Sequence, residues 1–241
     1  MTPATSSRRT AGRRPRGATL AEFVVVGPLA FVMVLAIVQL GFVFMARATV
    51  NHATFMAARQ GSLHNADPGV IRSTLIKGLL PFYQDTTNGN AVSRMSAAWF
   101  AAQADAMMPG RVQLEILNPR TESFKDFGVP DPARGNKRFI PNDNLQFRST
   151  LVGKKSAQTL MDANLLRIRV TYGYELKVPL IAHVYKRVMC GGTGGGVNAF
   201  GDNTSLFEAH GTLSDCVHYM QGRMPIVSYA TVRMQSPARE K

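Results

Sequence analysis

The chain has 241 residues, 28 of them basic and 15 acidic, for a formal net charge of +13. Five basic residues lie in the first 17, which leaves 23 against 15 and a net of +8 on the rest. Beyond the leader and a long apolar run, roughly 180 residues remain, enough for one domain with a real core and too few for two large ones. A basic remainder admits anionic partners, but it is more often a solvated surface.

The leader, residues 1–17, carries Arg8, Arg9, Arg13, Arg14 and Arg16 and no acid. Phe23 to Ala46 follows as 24 residues without a charge. As a helix this run is about 36 Å long at roughly 1.5 Å per residue, enough to cross a hydrocarbon core of about 30 Å. A soluble core helix is rarely so long without a polar face. The five arginines predict a cytoplasmic N-terminus, with residues after Arg47 outside. Ala46-Arg47-Ala48 has the small-x-small form of a secretory cleavage site. The run before it is far longer than the 7–15 residues of such a signal. The pairs Arg8-Arg9 and Arg13-Arg14 lack the apolar residues that twin-arginine export requires after them.

Glu22 stands at the mouth of the span, where a carboxylate is costly. Gly27-Pro28 predicts a kink or loosening, because proline removes one backbone donor and crowds the carbonyl four residues back. Gln39 and Gly41 form a small polar patch suited to helix–helix contact or simply tolerated in lipid.

The helix is expected to continue to about Gln60, with Val50, Ala53, Phe55 and Ala57 as its apolar stripe and Gly61 as its stop. Asp67-Pro68 opens a second helix. Its core face is Ile71, Leu75 and Leu79, and Pro81 ends it. Ser93 to Met108 reads as a third, with Met95, Ala98, Trp99 and Ala102 at helical spacing and Pro109-Gly110 as the break.

Alternation then replaces helical period. Val112, Leu114 and Ile116 predict one strand, and Leu166, Ile168, Val170 and Tyr172 a second, with Gly173 as a bend or bulge. Leu176 to Ala182 is read as a third strand and Ile226 to Met234 as a last. Residues 118–156 are rich in Pro, Asn, Asp, Lys and Gly and read as a long irregular insertion. The expected fold class is α+β: a long N-terminal transmembrane helix, then an outer domain of helices and a small antiparallel sheet.

Cys190 and Cys216 are the two cysteines, and in an outward-facing domain they are expected to bond. The bridge would tether the glycine run at 191–196 and contribute about 3 kcal/mol in the chain-entropy picture. That run lacks the Lys-Ser/Thr of a phosphate-gripping loop. His52, His64, His183, His210 and His218 show no metal spacing, and no nucleophile-elbow motif is present. No enzyme activity, metal or cofactor is expected. Arg134, Lys137, Arg138 and Phe139 are the nearest approach to a surface-binding basic loop. A solvated loop is the plainer reading, and nucleic acid is not an expected partner.

Gly17-Ala18, an acid five residues into the sequence that would start at Ala18, Phe23 next to it and then a span resemble the processing signal of type IV pilin-like proteins. Glu22-Phe23, Pro28, Gln39-Leu40-Gly41-Phe42 and Ala57-Ala58-Arg59-Gln60-Gly61 together resemble the TadE-like family, minor pseudopilins of tight-adherence (Flp-type) pilus systems. That family commonly has an acid in place of Gln39 and a glutamate in place of Gln60. The specific resemblance covers residues 17–61, with a looser likeness around 160–182. It implies cleavage between Gly17 and Ala18 by a prepilin peptidase, and pairing of Glu22, beside Phe23, with a newly made terminal amine. It also implies partners among other pilin-like subunits and the tight-adherence secretion machinery. The expected organisation is a leader at 1–17, a transmembrane and extended helix at 18–61 and a periplasmic domain at 62–241, held by a single pass in the inner membrane, and the resemblance leaves incorporation in a pilus open. The rival is an uncleaved anchor carrying a periplasmic binding or adhesion domain with a basic surface.

Overall fold

The computed structural model describes residues 18–85, 89–108, 110–178, 180–182 and 223–240. The leader with Gly17, the cysteines Cys190 and Cys216, the glycine run 191–196 and His183, His210 and His218 lie outside the described residues.

Helix α1 runs from Ala18 to Leu63. From Gln39 onward it buries a stripe, Gln39 and then, seven residues on, Ala46, Val50, Ala53, Ala57 and Gly61 in steps of three and four, with Thr54, Ala58 and Ser62 beside it. The stripe is made of small residues, so other elements approach the helix axis closely. Phe55, expected on the stripe, is exposed. A residue two positions after Ala53 lies about 200° round the helix. Gly61 does not stop α1. A Cβ there would stand 2.6 Å from Ile71 and 2.9 Å from Leu166, so the glycine admits a neighbouring helix and strand.

Helix α2, Pro68–Leu79, is capped by Asp67, whose side chain accepts from the Gly69 N–H, and buries Ile71, Leu75, Ile76 and Leu79. A 3-10 turn at Leu80–Phe82 holds Pro81. Helix α3, Ala91–Met107, starts two residues before the expected position because the Asn90 side chain accepts from the Val92 N–H. Ala98, Ala102 and Ala106 are its buried face, while Met95 is exposed and Trp99 half-buried.

The main sheet has the order β1-β4-β5, all antiparallel, from β1 Val112–Asn118, β4 Leu165–Glu175 and β5 Arg223–Arg233. Leu166, Ile168, Val170, Tyr172 and Tyr174 face the core with Ile226, Ser228 and Ala230. Helix α1 lies against β4, β5 and α2. Gly173 keeps regular register opposite Pro225, and the irregularity falls instead in β1, between Ile116 and Asn118.

Residues 118–156 are not an irregular insertion. They contain α4, Thr121–Phe127, β2, Val129–Asp131, and β3, Lys137–Ile140. After the short α5, Leu160–Ala163, and strands β4 and β5, the two-residue β6 at Ala238–Arg239 closes a second antiparallel sheet of order β2-β3-β6. Buried amides fasten this part to the main sheet. Asn118 Nδ2 donates to the carbonyls of Asp162 and Leu165, and Gln158 Nε2 donates to Asn118 Oδ1 at 3.0 Å. The fold is therefore α+β, with two small sheets where one was expected.

Leu176 to Ala182 is not a strand. Leu176 is buried below the end of β4, and Leu180, Ile181 and Ala182 are helical, with the Ala182 N–H donating to the Val178 carbonyl at 3.0 Å. The segment turns instead onto α1.

Candidate functional site

The candidate site is the first half of α1. Every side chain described from Glu22 to Val38 is exposed or half-exposed, and no other element among the described residues covers it. Phe23, Val25, Leu29, Met33 and Ile37 are each more than 60% exposed. The stretch Glu22–Leu63 is long and apolar enough to cross a membrane, and only 6% of its most apolar window is buried. A helix that serves as a soluble core would be mostly buried, so the arm requires a nonaqueous cover of another kind.

Glu22 and Phe23 are exposed near the start of this arm, one turn past Ala18. The Phe23 ring lies over Gly27, where a Cβ would be in ordinary contact at 3.7 Å. Helix α1 continues through Pro28, so one backbone bond, to the Val24 carbonyl, is lost without ending the helix.

Gln39 ends the bare arm. It is only 3% exposed, and its Oε1 accepts the Val178 N–H at 2.8 Å, while its Nε2 has no hydrogen-bond partner among the described residues. The Gln39–Gly41 patch, read as suited to helix–helix contact or tolerated in lipid, joins α1 to its own domain on the Gln39 side, and a Cβ on Gly41 would meet nothing within 4 Å. Sequence reasoning missed this pairing because Val178 lies 139 residues away and carries no polar side chain.

The basic loop comes together with acids. Arg134, Lys137 and Arg138 line a cleft of about 230 Å³ with Asp67, Asp131 and Glu240. Its charge is mixed, in keeping with a solvated surface. A larger cleft of about 430 Å³ lies on the outer face of the main sheet, where Arg120, Arg167 and Arg169 converge beside Asp162 and Tyr229. The Arg167 guanidinium sits 5.8 Å from the Tyr229 ring centre, and Arg169 is 3.7 Å from Glu115. Hydrogen bonds from the Thr159 hydroxyl and N–H hold the Asp162 carboxyl below the usual aspartate range. Arg167 and Arg169 alternate with the core residues of β4, so the sequence contained them, but as the outward half of a strand, while Arg120 comes from the residue before α4.

Residues 17–59 match the family model of TadE-like protein. No curated protein and no solved structure matches the chain. The matched segment takes in Gly17-Ala18, Glu22, the whole bare arm and the first part of the docking stripe.

Proposed function

We propose that this chain is a structural subunit of a tight-adherence pilus system, a TadE-like minor pilin or pseudopilin. It is made with a basic leader at 1–17 that a prepilin peptidase removes after Gly17. The observation that carries the reading is the bare apolar arm itself, coincident with the TadE-like match at residues 17–59. An arm of this length requires lipid or other arms around it, and assembly among pilin-like subunits supplies both. Residues 18–61 act as span and assembly helix. Residues 62–241 form the periplasmic domain, with the N-terminus cytoplasmic and the inner membrane as the holding compartment.

Glu22 has a defined task in this scheme. Cleavage creates an amine at Ala18, one turn away. Pairing a carboxylate with that amine, or with a neighbouring subunit's, offsets the cost of placing both in lipid. The role is structural, and no catalysis is assigned to the chain.

The test is the N-terminal sequence and intact mass of the membrane-bound protein, with and without a co-expressed cognate prepilin peptidase. A peptidase-dependent start at Ala18 is expected. A start at Met1 or Thr2 in both samples removes the processing signal and leaves a plain anchor. A start near Ala48 makes the arm a secretory signal.

One feature favours a second reading, the uncleaved anchor with a binding domain: the cleft where Arg120, Arg167 and Arg169 converge. An anionic surface polymer suits it. Binding that weakens steeply with salt and is lost in Arg167→Gln/Arg169→Gln, in a chain that keeps its leader, would favour this reading over assembly.

A further inference from the structure

We infer that residues 176–178 and 180–182 form a lipid-contacting foot, which rests at the boundary between headgroups and acyl chains and sets the depth of the domain against the bilayer. The inference rests on the membrane-span reading of the α1 arm and adds a contact that the span alone does not require.

The arithmetic of the helix carries it. From Glu22 to Gln39 the rise is about 26 Å, at roughly 1.5 Å per residue. The hydrocarbon core is about 30 Å thick. With Glu22 at one edge of that core, the other edge falls near Phe42, past the level of Gln39. Moving the near edge out to Ala18 brings the far edge back to Gln39 and no further. In either placement Val178, bonded to Gln39 at 2.8 Å, lies at the boundary.

The chemistry of the segment agrees. Leu176 is buried and Ala182 packs on the core, so both ends are fixed to the domain. Between them Leu180 is 46% exposed and Ile181 half-buried, while Lys177 is exposed. An apolar pair beside a cation fits the level where acyl chains give way to phosphates. Two of its backbone N–H groups are paired locally, Val178 with Gln39 and Ala182 with the Val178 carbonyl. Such pairing lowers the cost of placing a turn at this depth. Phe42, about one turn past Gln39 on α1, is also exposed near this level.

The test uses the full chain in vesicles of phosphatidylcholine and phosphatidylglycerol containing doxyl-labelled lipid. In a Trp99→Phe background, a single tryptophan is placed by Phe42→Trp, Phe55→Trp or Leu180→Trp. Quenching at 42 and 180 is expected to exceed that at 55 several-fold, because 55 lies about 20 Å further along α1. Quenching at 42 with none above the level of 55 at 180 overturns the foot and leaves the span standing. No quenching at 42 sinks the span reading and the foot with it. Ile181→Trp is a second probe of the segment should Leu180→Trp fail to fold, and is expected to be quenched as well. An unquenched tryptophan there also overturns the foot.

Discussion

Gly78 of α2 lies directly against Ala53 of α1: a Cβ on the glycine would stand 2.6 Å from the Ala53 Cβ and 2.8 Å from its Cα. One of those atoms is backbone and the other is fixed to it, so neither can turn aside. The two helices meet here at the closest separation their side chains allow, and the alanine stripe of α1 is what permits it.

Gly78→Ala is therefore expected to destabilise the fold, although alanine is the better helix former by about 1 kcal/mol. Overpacking of this kind costs about 1–3 kcal/mol, and here it outweighs propensity. Urea unfolding of the detergent-solubilised full chain should show a lower midpoint with an unchanged slope. The control is Gly41→Ala, whose Cβ would meet nothing within 4 Å, and it should be neutral or slightly stabilising.

Gln39 supplies the acceptor for the Val178 N–H. Gln39→Leu fills the same space without an acceptor, and an unpaired buried N–H costs about 1–3 kcal/mol. The loss should be local. Hydrogen exchange at the Val178 amide should accelerate markedly, while amides in the middle of β4 keep their protection. Equal exchange in the two proteins would mean that the bond does not hold the segment.

Asp105 of α3 gathers three other elements. It accepts from the Tyr83 hydroxyl at 3.0 Å, pairs with Arg111 at the start of β1, and lies 3.9 Å from Arg223 at the start of β5. Its side chain and that of Arg223 are each 13% exposed, so the carboxylate is what makes these cations tolerable there. Asp105→Asn keeps an acceptor for Tyr83 but removes the charge, and should destabilise by about 2 kcal/mol. Burial first, and then the neighbouring Tyr172 and Asp105, push the Tyr83 phenol far above its ordinary value. A raised phenol pKa stabilises the fold fully below about pH 10. That contribution is lost as pH rises above it. Tyr83→Phe should therefore flatten the alkaline limb of the stability curve.

The helices were legible because their signals are local. The Asp67-Pro68 cap and the four-residue spacing of Ile71, Leu75 and Leu79 need no distant partner, and the alternation along β4 is equally self-contained. What escaped depends on distance. Strand β3 is four residues long, its near partner β2 has three and includes Pro130, and its other partner, Ala238 and Arg239, is nearly a hundred residues away, so no run of alternation marks Lys137 to Ile140 as a strand. Gly61 has the form of a helix stop, and only the placement of Ile71 and Leu166 shows that it is a packing site. The apolar arm was read directly, since 24 uncharged residues need no fold to interpret. Where that arm ends was not, because Gln39 is defined by a backbone N–H from the far end of the domain.

Asp126 shows how the polar segment after β3 is held, and it gives a prediction in acid. Its Oδ2 accepts from the N–H groups of Lys155 and Ser156 at 2.9 and 2.7 Å and from the Ser156 hydroxyl at 2.9 Å. The backbone bond from Ser156, foremost among these, holds the carboxyl below the ordinary aspartate value. A depressed carboxylate pKa means that the charged form is the one the fold prefers. The stabilisation is thus complete above the unfolded value, near pH 4. It is lost as pH falls through the lower folded value. The Asp126 carboxyl should titrate below the ordinary aspartate value in carbon-detected NMR, and amide exchange at Lys155 and Ser156 should speed up over the same range. Asp126→Asn should exchange rapidly at those two amides at every pH, since an amide oxygen is a weaker acceptor than a carboxylate. If the two amides exchange alike in both proteins at neutral pH, Asp126 is not what pins the segment.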